Sequence, residues 1–529
     1  MARSHSLQAA AAGVGASVLG IGLGHAVAGY LSAKSSPIVA VGSAAIDLAP
    51  PWLKDWAVGT FGTADKPILV GGVLVVVLLL GGFAGLVQAR RGAGAWVLIA
   101  LAAVAALAAA TRSAASPYAA LPSVIAGLVA VVALHVALPS RRAEPGVAPK
   151  EPAVRASTNP DSEVLATPMT GMAGQVPARR TVLLASGMTA AGAGLAAFGS
   201  WNTRALTTPI LPAALPTPTA PLGPLPTGLE SMVKGISALR TPVDDFYRID
   251  TAILVPRVTV ADWRLRIDGD VERPFELSFA DLLAMPMVEA DITLNCVSNP
   301  VGGEYIGSTR WLGVLTADVL KRAGVRPTAD QILSTSVDGM TISTPVAALQ
   351  DDRGALLAVA MDGKPLTAEH GFPVRMVTPG LYGYVGATKW VTRLTATTYA
   401  ARRAYWSDRG WAERAEVKTQ SRIDVPASGE SFSSGFEVVI AGVAWSQARQ
   451  GISRVEVQVD DGEWSPAQLG PDVGEHYWRQ WRWTWPATSG THRVTVRATD
   501  GAGVVQTTDV AEPAPDGASG LHTISISVA

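Results

Sequence analysis

The chain has 529 residues, too many for one ordinary domain. Hydrophobic residues make up 48% of it and charged residues only 16%, which indicates that part of the chain lies in lipid. A formal net charge of −1 gives no support for a nucleic-acid partner, and the single cysteine excludes an intrachain disulfide.

The first 200 residues are dominated by Ala, Gly, Val and Leu, and they contain five apolar segments. A helix needs about 20 predominantly apolar residues to cross a bilayer. We therefore predict a membrane domain of about five transmembrane helices over residues 1–200. The segments lie at roughly 8–31, 67–88, 94–110, 117–138 and 181–199.

Cationic residues are spread unevenly over the connections between these segments. Arg3 precedes the first segment, Arg90 and Arg91 follow the second, and six Lys and Arg residues lie between the fourth and the fifth. The positive-inside rule then predicts a multi-pass protein of the cell membrane. Its N-terminus is expected to be cytoplasmic, and everything after the fifth segment extracytoplasmic.

Two features of the membrane part allow more than one interpretation. Arg179 and Arg180, in ARRTVLLASG, resemble a twin-arginine export signal inside the chain, which would export a folded, cofactor-loaded domain. The alternative is that both are ordinary positive-inside anchors. His25 and His135 fall in predicted spans, where a histidine pair can bind b-type haem. Packed histidines explain both positions more simply, so no haem is predicted.

A proline-rich run at 207–228, within a linker over 201–240, predicts a semi-rigid extended spacer. Short strands and helices alternate after it, which indicates an α+β domain over 241–413. Predicted strands lie in WRLRIDGDV, ADITLNCV and QILSTSVDG, and predicted helices in SFADLLAMP and TADVLKRAGV.

The last part, 414–529, consists of alternating runs divided by turn residues, with no convincing helix. This pattern predicts an all-β immunoglobulin-like sandwich. Without a disulfide, the sandwich must be stabilised by packing, and large aromatic side chains supply the buried area. The tryptophans expected there are Trp445, Trp464, Trp481, Trp483 and Trp485.

The single cysteine, Cys296, lies in TLNCVSNP, between a predicted strand and a Gly-containing turn. A free cysteine is a buried small hydrophobe, a nucleophile or a metal ligand. The residues around it resemble a known family. TLNCVSNPVGGEYIGSTRWLGVLTADVL and EHGFPVRMVTPGLYGYVGATKWVTRL look like the molybdopterin domain of the sulfite oxidase family, and the sandwich looks like its dimerisation domain.

The resemblance covers about residues 240–529, says nothing about the membrane half, and implies an enzyme with a molybdenum–molybdopterin cofactor. Together with the predicted membrane helices, it indicates a membrane-anchored bacterial type. It implies a two-electron oxygen-atom transfer on a small substrate and a homodimer through the C-terminal domain. A cysteine thiolate ligates the metal in this family, and Cys296 matches that position. A soft thiolate suits a metal that is already held by pterin sulfurs.

The same resemblance assigns the remaining site residues. Arg248 is expected to face the substrate as well as the cofactor. His370 and Arg375 match the pair that holds the pterin and its phosphate, since cationic donors suit an anion. The residues expected to bind the cofactor are Asp244, Tyr247, Arg248, Asp338, His370, Arg375, Ala387, Thr388 and Lys389.

The sequence departs from the sulfite-oxidising members, which carry an arginine shortly after the ligand cysteine. CVSNPVGGEY contains no cation, and its Glu304 adds a negative charge. Sulfite is therefore possible but not favoured, and the substrate is left open; Arg310 is the next cation in the chain. The sequence has no CxxCH site and no cysteine cluster, so electrons must pass to another protein or to a quinone.

Two other function classes compete with the oxidoreductase. One is a cell-envelope acyl-transferase with Cys296 as nucleophile and His370 as base. It leaves Arg375, Lys389 and the DDFYR run unexplained. The other is a non-catalytic exported binding protein in which Cys296 is merely buried.

Overall fold

The computed structural model describes residues 2–112, 115–139, 178–206 and 215–529. The chain forms two compact units. One consists of Met1–Ala49 and Ala64–Leu206, and the other of Pro50–Thr63 and Thr207–Ala529. The first unit is helical, and the second contains an α+β domain followed by an all-β domain, which confirms the predicted fold class.

The N-terminal helices include three that are long and apolar enough to cross a membrane, namely His5–Leu31, Asp65–Arg91 and Arg179–Thr203. Helices α5 and α6 have 16 and 17 residues, which extend about 24 to 26 Å against a hydrocarbon core of about 30 Å. A count of five spans therefore stays a prediction. The helices are α1 (Ala2–Leu31), α2 (Pro37–Leu48), α3 (Pro51–Phe61), α4 (Asp65–Arg91), α5 (Ala95–Ala110), α6 (Leu121–Ala137) and α7 (Ala178–Leu206).

Glycine lets the helices of this unit approach closely. A Cβ atom on Gly13 of α1 would lie 2.0 Å from the carbonyl oxygen of Gly81 on α4, and one on Gly22 would lie 2.1 Å from that of Gly192 on α7. Close packing of small residues is how helices associate in lipid. Helices α2 and α3 lie in a stretch where the sequence predicted only a connection, and α3 groups with the second unit.

The central domain is built on two sheets. One has the strand order β2-β1-β10-β5-β6, and the other has the order β3-β4-β7-β8 with β9 beside β7. The strands are β1 (Arg264–Gly269), β2 (Phe275–Ser278), β3 (Met287–Asn295), β4 (Ile306–Leu315), β5 (Gln331–Ser336), β6 (Thr341–Pro345), β7 (Leu356–Met361), β8 (Lys364–Pro365), β9 (Arg375–Val377) and β10 (Val391–Thr397). The helices are α8 (Phe279–Leu283), α9 (Thr316–Ala323), α10 (Val346–Gln350) and α11 (Gly383–Gly386).

The described part of the proline-rich run is not a free spacer. The amide of Thr219 donates to the carbonyl oxygen of Met287 at 2.8 Å, and the amide of Leu222 donates to the Glu289 carboxylate at 2.9 Å. Both acceptors belong to β3, an edge strand with unpaired backbone groups. The extended run covers that edge, a contact that proline content alone does not predict.

The C-terminal domain is a sandwich of two sheets, ordered β11-β13-β17-β16 and β12-β19-β18-β14-β15. Trp445, Trp481 and Trp485 are buried as expected, whereas Trp464 and Trp483 are only partly buried. A shared core joins Val297 and Tyr382 of the central domain to Trp445 and Trp478 of the sandwich. The strands are β11 (Gln420–Val425), β12 (Ser431–Phe432), β13 (Glu437–Trp445), β14 (Ile452–Val459), β15 (Ser465–Pro466), β16 (Gln468–Leu469), β17 (Arg479–Pro486), β18 (Gly490–Asp500) and β19 (His522–Val528).

Candidate active site

Cys296 is the first residue after β3, where the strand ends in a turn. Its amide donates to the carbonyl oxygen of Tyr305 at 2.9 Å, and its own carbonyl accepts from Asn299 at 3.1 Å. These backbone bonds fix the start of the turn. The Cys296 side chain is partly exposed, whereas its neighbour Val297 is buried in the core shared with the sandwich. The turn therefore holds the thiol at a surface that a ligand can reach.

Tyr247 lies near the Cys296 thiol, in the segment that precedes strand β1. Burial raises the pKa of its phenol, and the nearby Cys296 thiol raises that pKa further. A Cβ atom added to Gly383 would lie 3.8 Å from the Asn295 carbonyl oxygen and 3.9 Å from the Tyr247 hydroxyl. Gly383 thus leaves room for another atom next to the residue before the cysteine, and the neighbouring Tyr247 phenol stays protonated at neutral pH.

Arg375 begins β9, and its guanidinium is buried, with the residue only 6% exposed. Nη1 donates to the His370 carbonyl oxygen at 3.2 Å, and the guanidinium lies 5.1 Å from the centre of the Trp311 ring. Among the described residues, no carboxylate forms an ion pair with Arg375. Burial accordingly lowers its pKa to about 10. A buried cation without a counter-charge is costly unless an anion binds beside it.

Lys389 is held close to Arg375 by a glycine. Gly371 has a φ of +105°, and a Cβ atom there would lie 3.0 Å from the Arg375 side chain and 3.1 Å from that of Lys389. Lys389 Nζ forms an ion pair with Asp250 at 2.6 Å, and Arg248 Nε donates to the same carboxylate at 3.0 Å. Burial lowers the pKa of Lys389 to about 8, which Asp250 opposes.

His370 lies beside this cationic group, and no carboxylate of the described residues forms an ion pair with its ring. Its Nε2 is 3.2 Å from the Val243 carbonyl oxygen, and its ring meets Phe246 edge to face. Burial, followed by the charges of Arg375 and Lys389, lowers its pKa to about 4. His370 is therefore neutral at pH 7 and is a weak base, which argues against its role in the acyl-transferase hypothesis.

The low pKa of His370 predicts how the stability of cofactor-free protein depends on pH. An unfolded histidine titrates near 6.5. The contribution of neutral His370 to the free energy of unfolding is therefore fully present above pH 6.5 and is lost as the pH falls toward 4. The difference between these values corresponds to at most about 3 kcal/mol. Urea unfolding at pH 7.5 and 4.5 should therefore show a smaller pH effect in His370→Gln than in the wild type. An unchanged pH effect would mean that other groups cause it.

The other residues predicted to bind the cofactor differ in their position and in the contacts that hold them. Ala387 and Thr388 both lie in the loop between β9 and β10. The Thr388 hydroxyl is 2.6 Å from the Ser334 hydroxyl, and the amide of Ala387 donates to the carbonyl oxygen of Gly383. Asp338 accepts from the amide of Met340 in a turn at the end of β5. Asp244 is exposed, and no hydrogen bond or ion pair joins its side chain to another described residue.

Sequence reasoning missed several residues that shape the site. Asp250 links Arg248 to Lys389, which is 139 positions away in the chain. Trp311 lies under Arg375, and Gly371 and Gly383 provide the space for close approach. The position of Asp250, two residues after Arg248, was the available signal. Its second partner could be found only from the fold.

The donor set suits a phosphorylated, sulfur-rich cofactor. Arg375 supplies an uncompensated buried cation and Cys296 supplies a soft ligand, and both lie within electrostatic reach of Tyr247. The side-chain oxygens of Asn295 and Thr378 are buried without a hydrogen-bond partner in the described part of the chain. Buried polar atoms of this kind are normally satisfied by a bound group or by water.

Comparison with known proteins agrees with this geometry. Residues 252–406 match the oxidoreductase molybdopterin-binding domain, and residues 420–496 match a bacterial immunoglobulin domain. Mitochondrial sulfite oxidase of Macaca fascicularis is 31% identical over 282 residues, which cover 45% of this chain and 51% of the relative. The central region of this chain is a molybdopterin-binding oxidoreductase domain similar to that of the sulfite oxidases.

Other relatives have different activities. NADH nitrate reductase 1 of Oryza sativa subsp. japonica is 27% identical over 286 residues, covering 43% of this chain and 31% of the reductase. The sulfane dehydrogenase SoxCD of Paracoccus pantotrophus matches with a TM-score of 0.47 and 24% identity, over 56% of this chain and 82% of its own. The chain spans about half the length of the mitochondrial sulfite oxidases it matches.

The cofactor of a sulfite oxidase family domain is molybdenum held by molybdopterin. When bound, it supplies the two-electron redox change and most of the sulfur ligands. In this chain, Cys296 would contribute the protein ligand, and Arg375 would bind the anionic end of the pterin. Lys389 and the backbone of the loop between β9 and β10 would then fix its position.

Proposed function

We propose that this protein is a membrane-anchored molybdenum oxidoreductase that exchanges an oxygen atom with a small, uncharged substrate outside the cytoplasm. The observation that carries the proposal is the unpaired, buried Arg375 guanidinium, which lies within electrostatic reach of the same Tyr247 phenol as the partly exposed Cys296. Metal analysis tests it directly. Purified protein should contain one molybdenum and one releasable pterin per chain, and their absence would contradict the proposal.

The cations around the site support an uncharged substrate. Arg310 binds Asp291 through two hydrogen bonds of 2.9 and 2.8 Å, so it is not free to bind a substrate anion. Arg248 and Lys389 share the carboxylate of Asp250. Arg375 is the remaining cation and is assigned to the cofactor. Among the described residues, the Arg248–Lys389–Asp250 group thus retains only one unbalanced positive charge for a dianion such as sulfite, which disfavours sulfite as the substrate.

The neighbouring phenol supports oxygen-atom chemistry. Because burial and the thiol raise the pKa of Tyr247, its hydroxyl remains a hydrogen-bond donor at the edge of the space beside Gly383. A donor there would orient the oxygen of a sulfoxide or an N-oxide. Turnover of such neutral compounds, measured with an artificial electron carrier, should exceed turnover of sulfite. A clear preference for sulfite would overturn the neutral-substrate assignment.

The proposed orientation places the catalytic domain outside the cytoplasm. Three apolar helices of sufficient length support the anchoring. His25 is held by serines, with ring nitrogens 2.9 Å from the Ser36 hydroxyl and 3.0 Å from that of Ser200. His135 Nδ1 is 2.8 Å from the Val131 carbonyl oxygen. These contacts support packed histidines rather than haem ligands.

Replacing Arg179 and Arg180 by lysine tests the export signal, because the substitution keeps the charge. Both residues lie exposed at the start of α7. If they form a twin-arginine signal, the domain after residue 215 should stay in the cytoplasm, shielded from protease added to intact cells. The matched control replaces Arg141 and Arg142 by lysine and should leave export unchanged. Normal exposure of both double variants would make Arg179 and Arg180 simple anchors.

The homodimer through the sandwich is also a proposal. Phe436, immediately before strand β13, is 69% exposed, and Val439, on that strand, is 40% exposed. Exposed apolar side chains favour association. Light scattering of detergent-purified protein checks the mass, and Phe436→Glu should shift it toward the monomer.

A further inference from the structure

The N-terminal unit contains an apolar cavity of about 430 Å³ that is lined by α1, α2, α4, α5 and α6. Its walls include Ile38, Val73 and Leu101. The size is typical of sites that bind small organic molecules. Val76 and Val104 also line it and are 53% and 59% exposed, so the cavity reaches the apolar outer surface of the helices. A molecule dissolved in lipid therefore has a route into it.

Two hydroxyl groups interrupt the apolar lining. Ser123, in the first turn of α6, is fully buried, and its hydroxyl has no hydrogen-bond partner in the described part of the chain. Ser17 donates to the Gly13 carbonyl oxygen at 3.0 Å, which leaves its oxygen free to accept. An unpaired hydroxyl is unfavourable in an apolar interior. Ser123 is thus matched to a ligand that brings a polar atom into an otherwise apolar site.

We infer that this cavity binds a membrane quinone, with the Ser123 hydroxyl donating a hydrogen bond to a ring carbonyl. A quinone combines a planar ring, two carbonyl acceptors and a hydrocarbon tail, which correspond to the volume, the hydroxyls and the apolar walls. A lipid acyl chain fits the walls but offers Ser123 no acceptor.

The choice of a redox-active ligand rests on the proposed function. Removal of the oxygen atom of a sulfoxide or an N-oxide as water consumes two electrons and two protons, and oxidation of a quinol to its quinone releases the same number. The sequence contains no haem attachment motif and no cysteine cluster to carry these electrons. A membrane quinol, oxidised to its quinone, supplies the required two-electron donor inside the membrane.

The test measures binding of a radiolabelled naphthoquinone with two isoprene units to the full-length holoenzyme in nanodiscs. One molecule should bind per chain, and a hydrocarbon of the same tail length should compete poorly. Ser123→Ala should weaken binding about threefold to tenfold, the usual effect of one lost hydrogen bond. Ser123→Thr, which keeps the hydroxyl, should restore it. Val73→Trp, which fills the cavity, should abolish it.

The matched control is Ser186→Ala, because Ser186 is exposed on α7 and lies outside the cavity. It should bind quinone like the wild type. Equal competition by the hydrocarbon, together with unchanged binding in Ser123→Ala, would identify the occupant as a lipid tail and overturn the inference.

The inference and the proposed function can fail separately. Protein that binds quinone but contains no molybdenum would refute the proposed function and leave the quinone site standing. Protein that contains molybdenum and turns over with an artificial carrier, yet binds no quinone, would refute only the inference.

Discussion

Replacing Cys296 by serine is expected to abolish turnover while leaving the fold largely intact. The two side chains have nearly the same shape, and the turn is fixed by backbone bonds to Tyr305 and Asn299 rather than by the sulfur. A serine oxygen is a harder and weaker ligand than a thiolate, so it suits a sulfur-bound metal poorly. The measurements are substrate turnover with an artificial electron acceptor, molybdenum content and melting temperature.

The neighbouring residue provides the control. Val297→Ala truncates a side chain that is 4% exposed in the core shared with the sandwich, so it should lower stability by about 1 to 3 kcal/mol. Its metal content should stay normal because it removes no ligand. Cys296→Ser should show the opposite pattern, with normal melting and no turnover. Cys296→Ser protein that kept most of its activity would exclude the thiolate as an essential ligand.

The parts of the fold that follow from local patterns were predictable. The alternation of apolar and polar residues predicted the strands around Cys296 and in the sandwich, and the length of the apolar segments predicted the membrane helices. Helix α2 was missed because its twelve residues are too short to be recognised as a span. The contact between the proline-rich run and β3 was missed for another reason, since it depends on which strand lies at the edge of a sheet.

The features of the site also divide into those that the sequence could predict and those that it could not. Cys296, His370 and Arg375 could be chosen from short motifs, whereas the charge balance among the cations could not. The sequence shows Arg310 as a cation close after the cysteine, but the structure pairs it with Asp291 across adjacent strands. Asp250 forms ion pairs with both Arg248 and Lys389, which are far apart in the chain. Which cation remains unpaired is therefore a property of the fold, and it supports the proposal that Arg375 binds the anion.

Replacing Arg375 by alanine is expected to lower cofactor content much more than it lowers the stability of the cofactor-free protein. Without a bound anion, the buried guanidinium has no counter-charge and gains little from its carbonyl contact at 3.2 Å. With an anion bound, a charge-assisted hydrogen bond contributes about 1.5 to 3 kcal/mol, or about one to two decades of affinity. Arg375→Lys, which keeps the charge but not the planar donor fork, should fall between alanine and the wild type.

Arg310 is the matched control because it is also an arginine of the central domain, but its charge is already satisfied. Arg310→Ala leaves the Asp291 carboxylate, which is 11% exposed, without its partner and should destabilise the protein by about 1 to 3 kcal/mol. It should not change the molybdenum and pterin content per folded chain. The two alanine variants thus separate an arginine that binds a ligand from one that stabilises the fold. Full cofactor occupancy in Arg375→Ala, with a lowered melting temperature of cofactor-free protein, would place Arg375 in the second class.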